Sequence, residues 1–238
     1  MTDTTDTRHD DETALRAEFE VREERFEHGA LEMDVLLPRA ADMLIDEALY
    51  EADERLPYWA ELWPSARGLA RHLLDVPPPE TSIVELGCGV ALPSLTLRSI
   101  GRDPLATDYY DEALRFARVN ALRNGLPPLR TAELDWRHPP EARHALVLAA
   151  DVLYEKRNCE ALAALLPRII APGGRVLLAD PGRIHAGDFH NAMHLAGWSS
   201  AVIDSRTEIS DPTTGATSTV KIFQMRMRAG RADEGSGG

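Results

Sequence analysis

From Ile83 onward the chain repeats one pattern: a short apolar run, a segment of helical period, then another apolar run. The runs are SIVEL, PLATD, LRTAELD, ALVLAAD and RVLLAD, and PSLTLRSI, DEALRFARVNALRNG and NCEALAALLPRII lie between them. Strands that are apolar on both faces and joined by helical crossovers pair in parallel, because the crossover returns the chain to the same end of the sheet. The rhythm stops at SSAVIDSR and STVKIFQMRM, which have only a polar TTG turn region between them. Those two are expected to pair antiparallel at one edge.

The expected fold class is therefore α/β, a Rossmann-like seven-stranded, mostly parallel sheet with an antiparallel edge strand and an N-terminal hairpin and helix extension. In that extension, FEVREERFEHGALEMDVLLPR alternates apolar and polar residues around His28-Gly29 and puts Leu31, Met33, Val35 and Leu37 on one face. A short helix is expected from about Ala40 to Tyr50. Another opens at Pro64, with Leu69, Leu73 and Leu74 on one face. Residues 1–13 and 229–238 lack apolar periodicity and are expected as disordered tails. That leaves 14–228 as a single domain, divided into the extension 14–60 and a ligand-binding core 61–228.

Charge narrows the partners. Against 39 acids stand 26 bases, only Lys156 and Lys221 of them lysines, for a formal net charge of −13. No basic stripe is available to neutralise phosphates, which argues against nucleic acid. No apolar run approaches the ~20 residues of a membrane span, and the polar, acidic N-terminus has no signal-peptide character. Cys88 and Cys159 are far apart and form no Cys-x-x-Cys pair. A cytoplasmic monomer is expected.

The first strand run ends in VELGCG, where an open parallel sheet binds its ligands. Leu92 stands where a dinucleotide fingerprint needs its third glycine, and no Lys or Arg lies between Glu85 and Leu97. Asp108 ends the next run, about 20 residues on, where a carboxylate can accept both hydroxyls of a ribose. A ribose, no phosphate requirement and tolerance of acidic surroundings together describe S-adenosylmethionine. Trp63 and Trp136 are placed to flank its pocket. The fourth run ends in ADVLYEK, and Asp151 and Tyr154, at i and i+3, would project together from one helical turn into the cleft. They are the catalytic candidates. HNAMH lacks the glutamate of a zinc hydrolase, so His190 and His194 are read as a solvated helix face, and no metal site is expected.

In order and spacing, PYWAELWP, VELGCG, ATDYY, LDW, ADVLY and LLADPGR resemble the seven-β-strand, S-adenosylmethionine-dependent protein-lysine methyltransferases, over roughly Leu31 to Gln224. Members that methylate the β subunit of electron transfer flavoprotein look most similar, although VALPSL is more like members that modify chaperones. The resemblance implies Trp63 beside the cofactor, Glu85, Gly87, Cys88 and Gly89 as the loop for its methionine part, and Asp108 at the ribose. It implies Trp136 and Ala150 at the adenine, and Asp151 with Tyr154 at the acceptor. Arg183, at the carboxyl end of the fifth strand, is expected to pair with carboxylates of a protein substrate. A small-molecule N-methyltransferase and a noncatalytic S-adenosylmethionine-binding module remain the alternatives.

Overall fold

A computed structural model describes residues 4–39, 56–211 and 213–228; the expected helix near Ala40 to Tyr50, residues 1–3 and the tail 229–238 lie outside the described residues. The chain starts with helix α1 (Thr4–Glu18), then pairs strands β1 (Val21–His28) and β2 (Leu31–Pro38) antiparallel. His28 opposite Leu31 leaves the two-residue loop Gly29-Ala30, and Gly29 has the positive φ of 58° that such loops demand.

Residues 4–13, expected as an irregular tail, lie in α1. Leu15 is buried on the protein body, and Glu12 receives both Arg16 from its own helix and Arg123 from a distant one. Partners more than 100 residues away leave no trace in local periodicity, so a polar composition there misleads.

After a single 3-10 turn (Tyr58–Ala60) come α2 (Pro64–Asp75), β3 (Ile83–Leu86), α3 (Leu92–Ser99), β4 (Leu105–Asp108), α4 (Asp111–Arg123), β5 (Arg130–Glu133) and β6 (His144–Ala150). Then follow α5 (Lys156–Ile169), β7 (Ile170–Asp180), α6 (Ala186–Leu195), β8 (Trp198–Asp211) and β9 (Ala216–Met227). The sheet runs β5-β4-β3-β6-β7-β9-β8; β5 through β7 are parallel, while β9 runs antiparallel to both neighbours and leaves β8 at the edge. The Rossmann-like reading and its antiparallel edge therefore hold.

The apolar runs are explained by burial on both faces. Val84, Leu86, Val147 and Leu178 pack with Leu162, Leu165 and Leu166 of α5. Ile83, Leu146, Leu148 and Leu177 pack with Leu69 and Leu73 of α2. Helix α2 lies close on the sheet because Gly68 has no Cβ, which would stand 3.1 Å from Val220 Cγ1. From β3 the chain crosses first to β4 on one side and later to β6 on the other, so a crevice opens above the carboxyl ends of β3 and β6. Among the described residues no helix is long and apolar enough to cross a membrane.

Candidate functional site

A cavity of about 270 Å³ fills that crevice. Its lining includes Trp63, Glu85, Gly87, Cys88, Gly89, Asp108, Trp136, Ala150, Asp151 and Tyr154, so the predicted cofactor and catalytic residues share one wall system.

The floor is the turn after β3. Gly87 and Gly89 have φ of 60° and 52°, in the left-handed region. A Cβ on Gly87 would stand 3.1 Å from the Trp136 ring, and one on Gly89 3.1 Å from the Trp59 carbonyl oxygen. Both positions need a residue without a side chain, for conformation and for space. Cys88 between them is buried, and burial raises its thiol well above the usual range, so it supplies no thiolate.

The two carboxylates near this turn have different work. Asp108 ends β4; its Oδ2 accepts the Gly89 N–H at 2.8 Å and its Oδ1 the Tyr110 N–H at 3.1 Å. A carboxylate oxygen can accept more than one hydrogen bond, so these contacts are compatible with a ligand hydroxyl at the same group. Glu85 also lines the cavity, but its Oε2 accepts the Ser94 backbone N–H at 2.9 Å and the Ser94 hydroxyl. Ala91, the residue before α3, makes no side-chain cap, so Glu85 caps that helix from the strand. Burial pushes the Glu85 carboxyl up to about 8, with the Ser94 hydrogen bonds opposing the rise.

At the other end, Asp151 and Tyr154 lie in the loop between β6 and α5, not on the expected helical turn, since α5 begins only at Lys156. Asp151 itself takes φ of 59°, which Asp tolerates better than most residues. It is 4% exposed; Ser65 Oγ donates to its Oδ2 at 3.1 Å and Arg183 Nε to its Oδ1 at 2.6 Å. Burial raises the Asp151 pKa above its ordinary value, while Arg183 and Ser65 act against the rise. Tyr154 packs edge-on against Tyr58 with ring centroids 4.8 Å apart.

Arg183, expected to point toward a partner's carboxylates, instead pairs with Asp151, and its guanidinium stands 5.1 Å from the centre of the Trp63 ring. The Asp-Pro-Gly turn directs it inward: Asp180 Oδ1 accepts the backbone N–H groups of Gly182 and Arg183. Nor does His190 form a solvated face with His194: its ring lies 4.3 Å from that of Phe223, whereas His194 is exposed.

Sequence reasoning missed Tyr58, Trp59 and Ser65. Tyr58 and Trp59 sit inside PYWAELWP, which pointed to the site through Trp63 alone. Ser65 has no signal of its own, because a serine in the first turn of a helix is an ordinary choice.

The chain is 30% identical over 139 residues to the electron transfer flavoprotein beta subunit lysine methyltransferase of Danio rerio, a stretch covering 57% of this chain and 54% of that protein. It is 26% identical over 149 residues to the human histone-arginine methyltransferase METTL23, covering 58% of this chain and 77% of the relative. The chain thus spans little more than half of the zebrafish protein. In fold it is similar to the magnesium protoporphyrin IX methyltransferase of Synechocystis PCC 6803, solved with bound S-adenosylmethionine. There the TM-score is 0.53 at 16% identity, over 69% of this chain and 78% of the other. The family model for lysine methyltransferases matches residues 60–193, more than half of the chain and the stretch that holds the glycine turn, Asp108, Asp151 and Arg183; the chain belongs to that family.

Proposed function

We propose that the protein transfers a methyl group from S-adenosylmethionine to a lysine side chain of a protein. The observation that supports this most is the meeting of two strand-end carboxylates, Asp108 and Asp151, in one cavity with a turn whose two glycines have no room for a side chain. The residues fit the cofactor. Asp108 would accept the ribose hydroxyls, Trp136 and Ala150 would wall the adenine, and Gly87, Cys88 and Gly89 would face the methionine part beside Trp63. Glu85 would act indirectly, by fixing the turn through Ser94. When bound, the cofactor supplies an electrophilic methyl group on a sulfonium centre.

The remaining chemistry belongs to the acceptor. A lysine with a pKa near 10.4 loses its proton at pH 7 at a cost of about 4 to 5 kcal/mol. Asp151 and Tyr154 would orient the neutral amine and hold it at reacting distance, and water would carry the proton away. The electron transfer flavoprotein β subunit is the first target to test, because the zebrafish relative is named for it. The reading extends to a single-domain monomer in a reducing, cytoplasmic compartment; of these, the compartment is supported by two buried free cysteines.

The test uses purified protein, S-adenosylmethionine and the flavoprotein β subunit from the same organism, followed by intact-mass measurement. A gain of one or more methyl groups, mapped to lysine, is the expected result. An unchanged mass from protein that binds the cofactor would remove this target.

A further inference from the structure

Arg183 and the groups around it form a connected chain of contacts. Asp180, 1% exposed, holds the turn that delivers Arg183, with its Oδ1 accepting the Gly182 N–H at 2.7 Å and the Arg183 N–H at 2.9 Å. The Arg183 side chain bonds to Asp151 and covers the Trp63 ring. Trp63 Nε1 donates to the Tyr58 carbonyl at 2.8 Å, and the Tyr58 ring packs on Tyr154. The DPGR turn, the PYWAELWP segment and both members of Asp-x-x-Tyr are therefore mechanically joined.

We propose that Arg183 is a positioning residue of the acceptor site, whose fixed positive charge offsets that of Asp151 so that the acceptor amine is held neutral instead of as an ammonium ion. The inference rests on the methyl-transfer reading above and extends it to the protonation state of the acceptor. A buried carboxylate with no counter-charge stabilises any cation beside it. An ammonium has no lone pair and cannot attack. A carboxylate already bonded to a guanidinium binds a second cation less strongly, yet keeps lone pairs that accept an N–H from a neutral amine. Arginine suits the role because it stays protonated at every working pH, and the Trp63 face adds a cation–π contact that holds it in place.

The charge around Asp151 makes the compensation necessary. The groups facing it are Arg183 from the β7–α6 turn, Asp180 at the end of β7, the uncharged Ser65 from α2 and Tyr154 from its own loop. Asp180 Oδ2 is buried with no hydrogen-bond partner, so the cluster has a surplus of negative charge that only Arg183 among these groups opposes. Burial already raises the Asp151 pKa despite Arg183. Removing the guanidinium lets it rise further.

The experiment compares wild type with Arg183→Gln and Arg183→Lys, each checked for folding by circular dichroism and for cofactor affinity by calorimetry. The first readout needs no substrate: a carbon-13 NMR titration of the Asp151 carboxyl, assigned with Asp151→Asn. Arg183→Gln should raise its midpoint by about one pH unit or more, and Arg183→Lys should return most of the shift. The second readout uses the lysate protein that wild type labels most strongly with tritiated S-adenosylmethionine, purified. With Arg183→Gln, kcat should fall about tenfold at neutral pH and recover as pH rises, with KM not increased; that tenfold is one pH unit in the neutral amine fraction. An unmoved Asp151 midpoint in folded Arg183→Gln overturns the proposal. So does a raised KM with an unchanged kcat profile, which would make Arg183 a docking residue, or a loss equal at every pH, which would make it structural. If wild type labels no protein, the methyl-transfer reading fails, and the titration alone decides whether Arg183 controls Asp151.

Discussion

Asp108 does two jobs with one carboxylate, and its removal separates them. It holds the Gly89 and Tyr110 N–H groups and would also take two ribose hydroxyls, since a carboxylate oxygen can accept more than one hydrogen bond. Calorimetry on Asp108→Ala should show S-adenosylmethionine binding weakened about a hundredfold or more, from two charge-assisted hydrogen bonds of roughly 1.5 to 3 kcal/mol each. Unchanged affinity would confine Asp108 to shaping the turn. Asp151→Asn should behave differently. Asparagine accepts the left-handed backbone that Asp151 adopts, so the fold and cofactor affinity should persist. Methyl transfer should fall by about two orders of magnitude, the scale typical of losing a group that contacts the reacting atom. Turnover within threefold of wild type would make Asp151 a structural residue only.

At the scale of elements, the N-terminal hairpin is held by a helix imitating a strand. Asn120 of α4 accepts the Leu36 N–H at 2.7 Å and donates to the Leu36 carbonyl at 3.0 Å; one turn later Asn124 does the same for Asp34 at 2.9 and 3.1 Å. At Asp34 and Leu36 the outer edge of β2 is thus satisfied by side chains. Asn120 is fully buried, so Asn120→Ala leaves two buried backbone groups unpaired and should destabilise the protein by about 2 to 4 kcal/mol in thermal or urea unfolding. Asn124→Ala, at an edge that water reaches, should cost less; equal losses would contradict this account. Neither asparagine was legible in the sequence, because DEALRFARVNALRNG reads as an ordinary amphipathic helix and the partners lie 84 and 90 residues away. The inner parallel strands β3, β4, β6 and β7 were legible, since they are largely buried on both faces and therefore mostly apolar. The exposed strand β5, with the sequence RTAE, was placed by the rhythm of its neighbours instead. The cavity was legible too, because strand ends and the glycine turn are local features. The inward course of Arg183 was not: it depends on Asp180 setting the turn and on a carboxylate 32 residues earlier in the chain.

Across the whole molecule, charge sets how stability responds to pH. His28, Asp75, Arg206, Asp204 and His72 form a continuous chain of side-chain contacts, with Arg206 paired to both aspartates, that joins the hairpin, α2 and β8. Hydrogen bonds from His28 and then Arg206 hold Asp75 below its ordinary value of 3.8. For Asp204, burial pushes upward, but bonds from His72 and Arg206 outweigh it. Carboxylates depressed in the folded state add stability above their unfolded value, and that stability is lost as pH falls through the folded one. Stability should therefore drop as pH falls below about 4, and Asp204→Asn should flatten that slope. Glu85 works in the opposite sense. Its value is raised from 4.5 to about 8, so the folded state binds the extra proton and loses relative stability as pH rises across that window. Glu85→Gln keeps an acceptor for Ser94 without the charge, so its unfolding free energy relative to wild type should improve by about 1 kcal/mol or more between pH 5 and pH 8. A difference independent of pH would mean that Glu85 is ionised throughout. The central claim is that the donor cavity serves a lysine acceptor. It is tested most directly by incubating the protein with methyl-tritiated S-adenosylmethionine and cell lysate, hydrolysing the labelled protein fraction to amino acids and separating them. The account predicts label in methylated lysine, lost with Asp151→Asn; label in methylated arginine, or only in the small-molecule fraction, would contradict it.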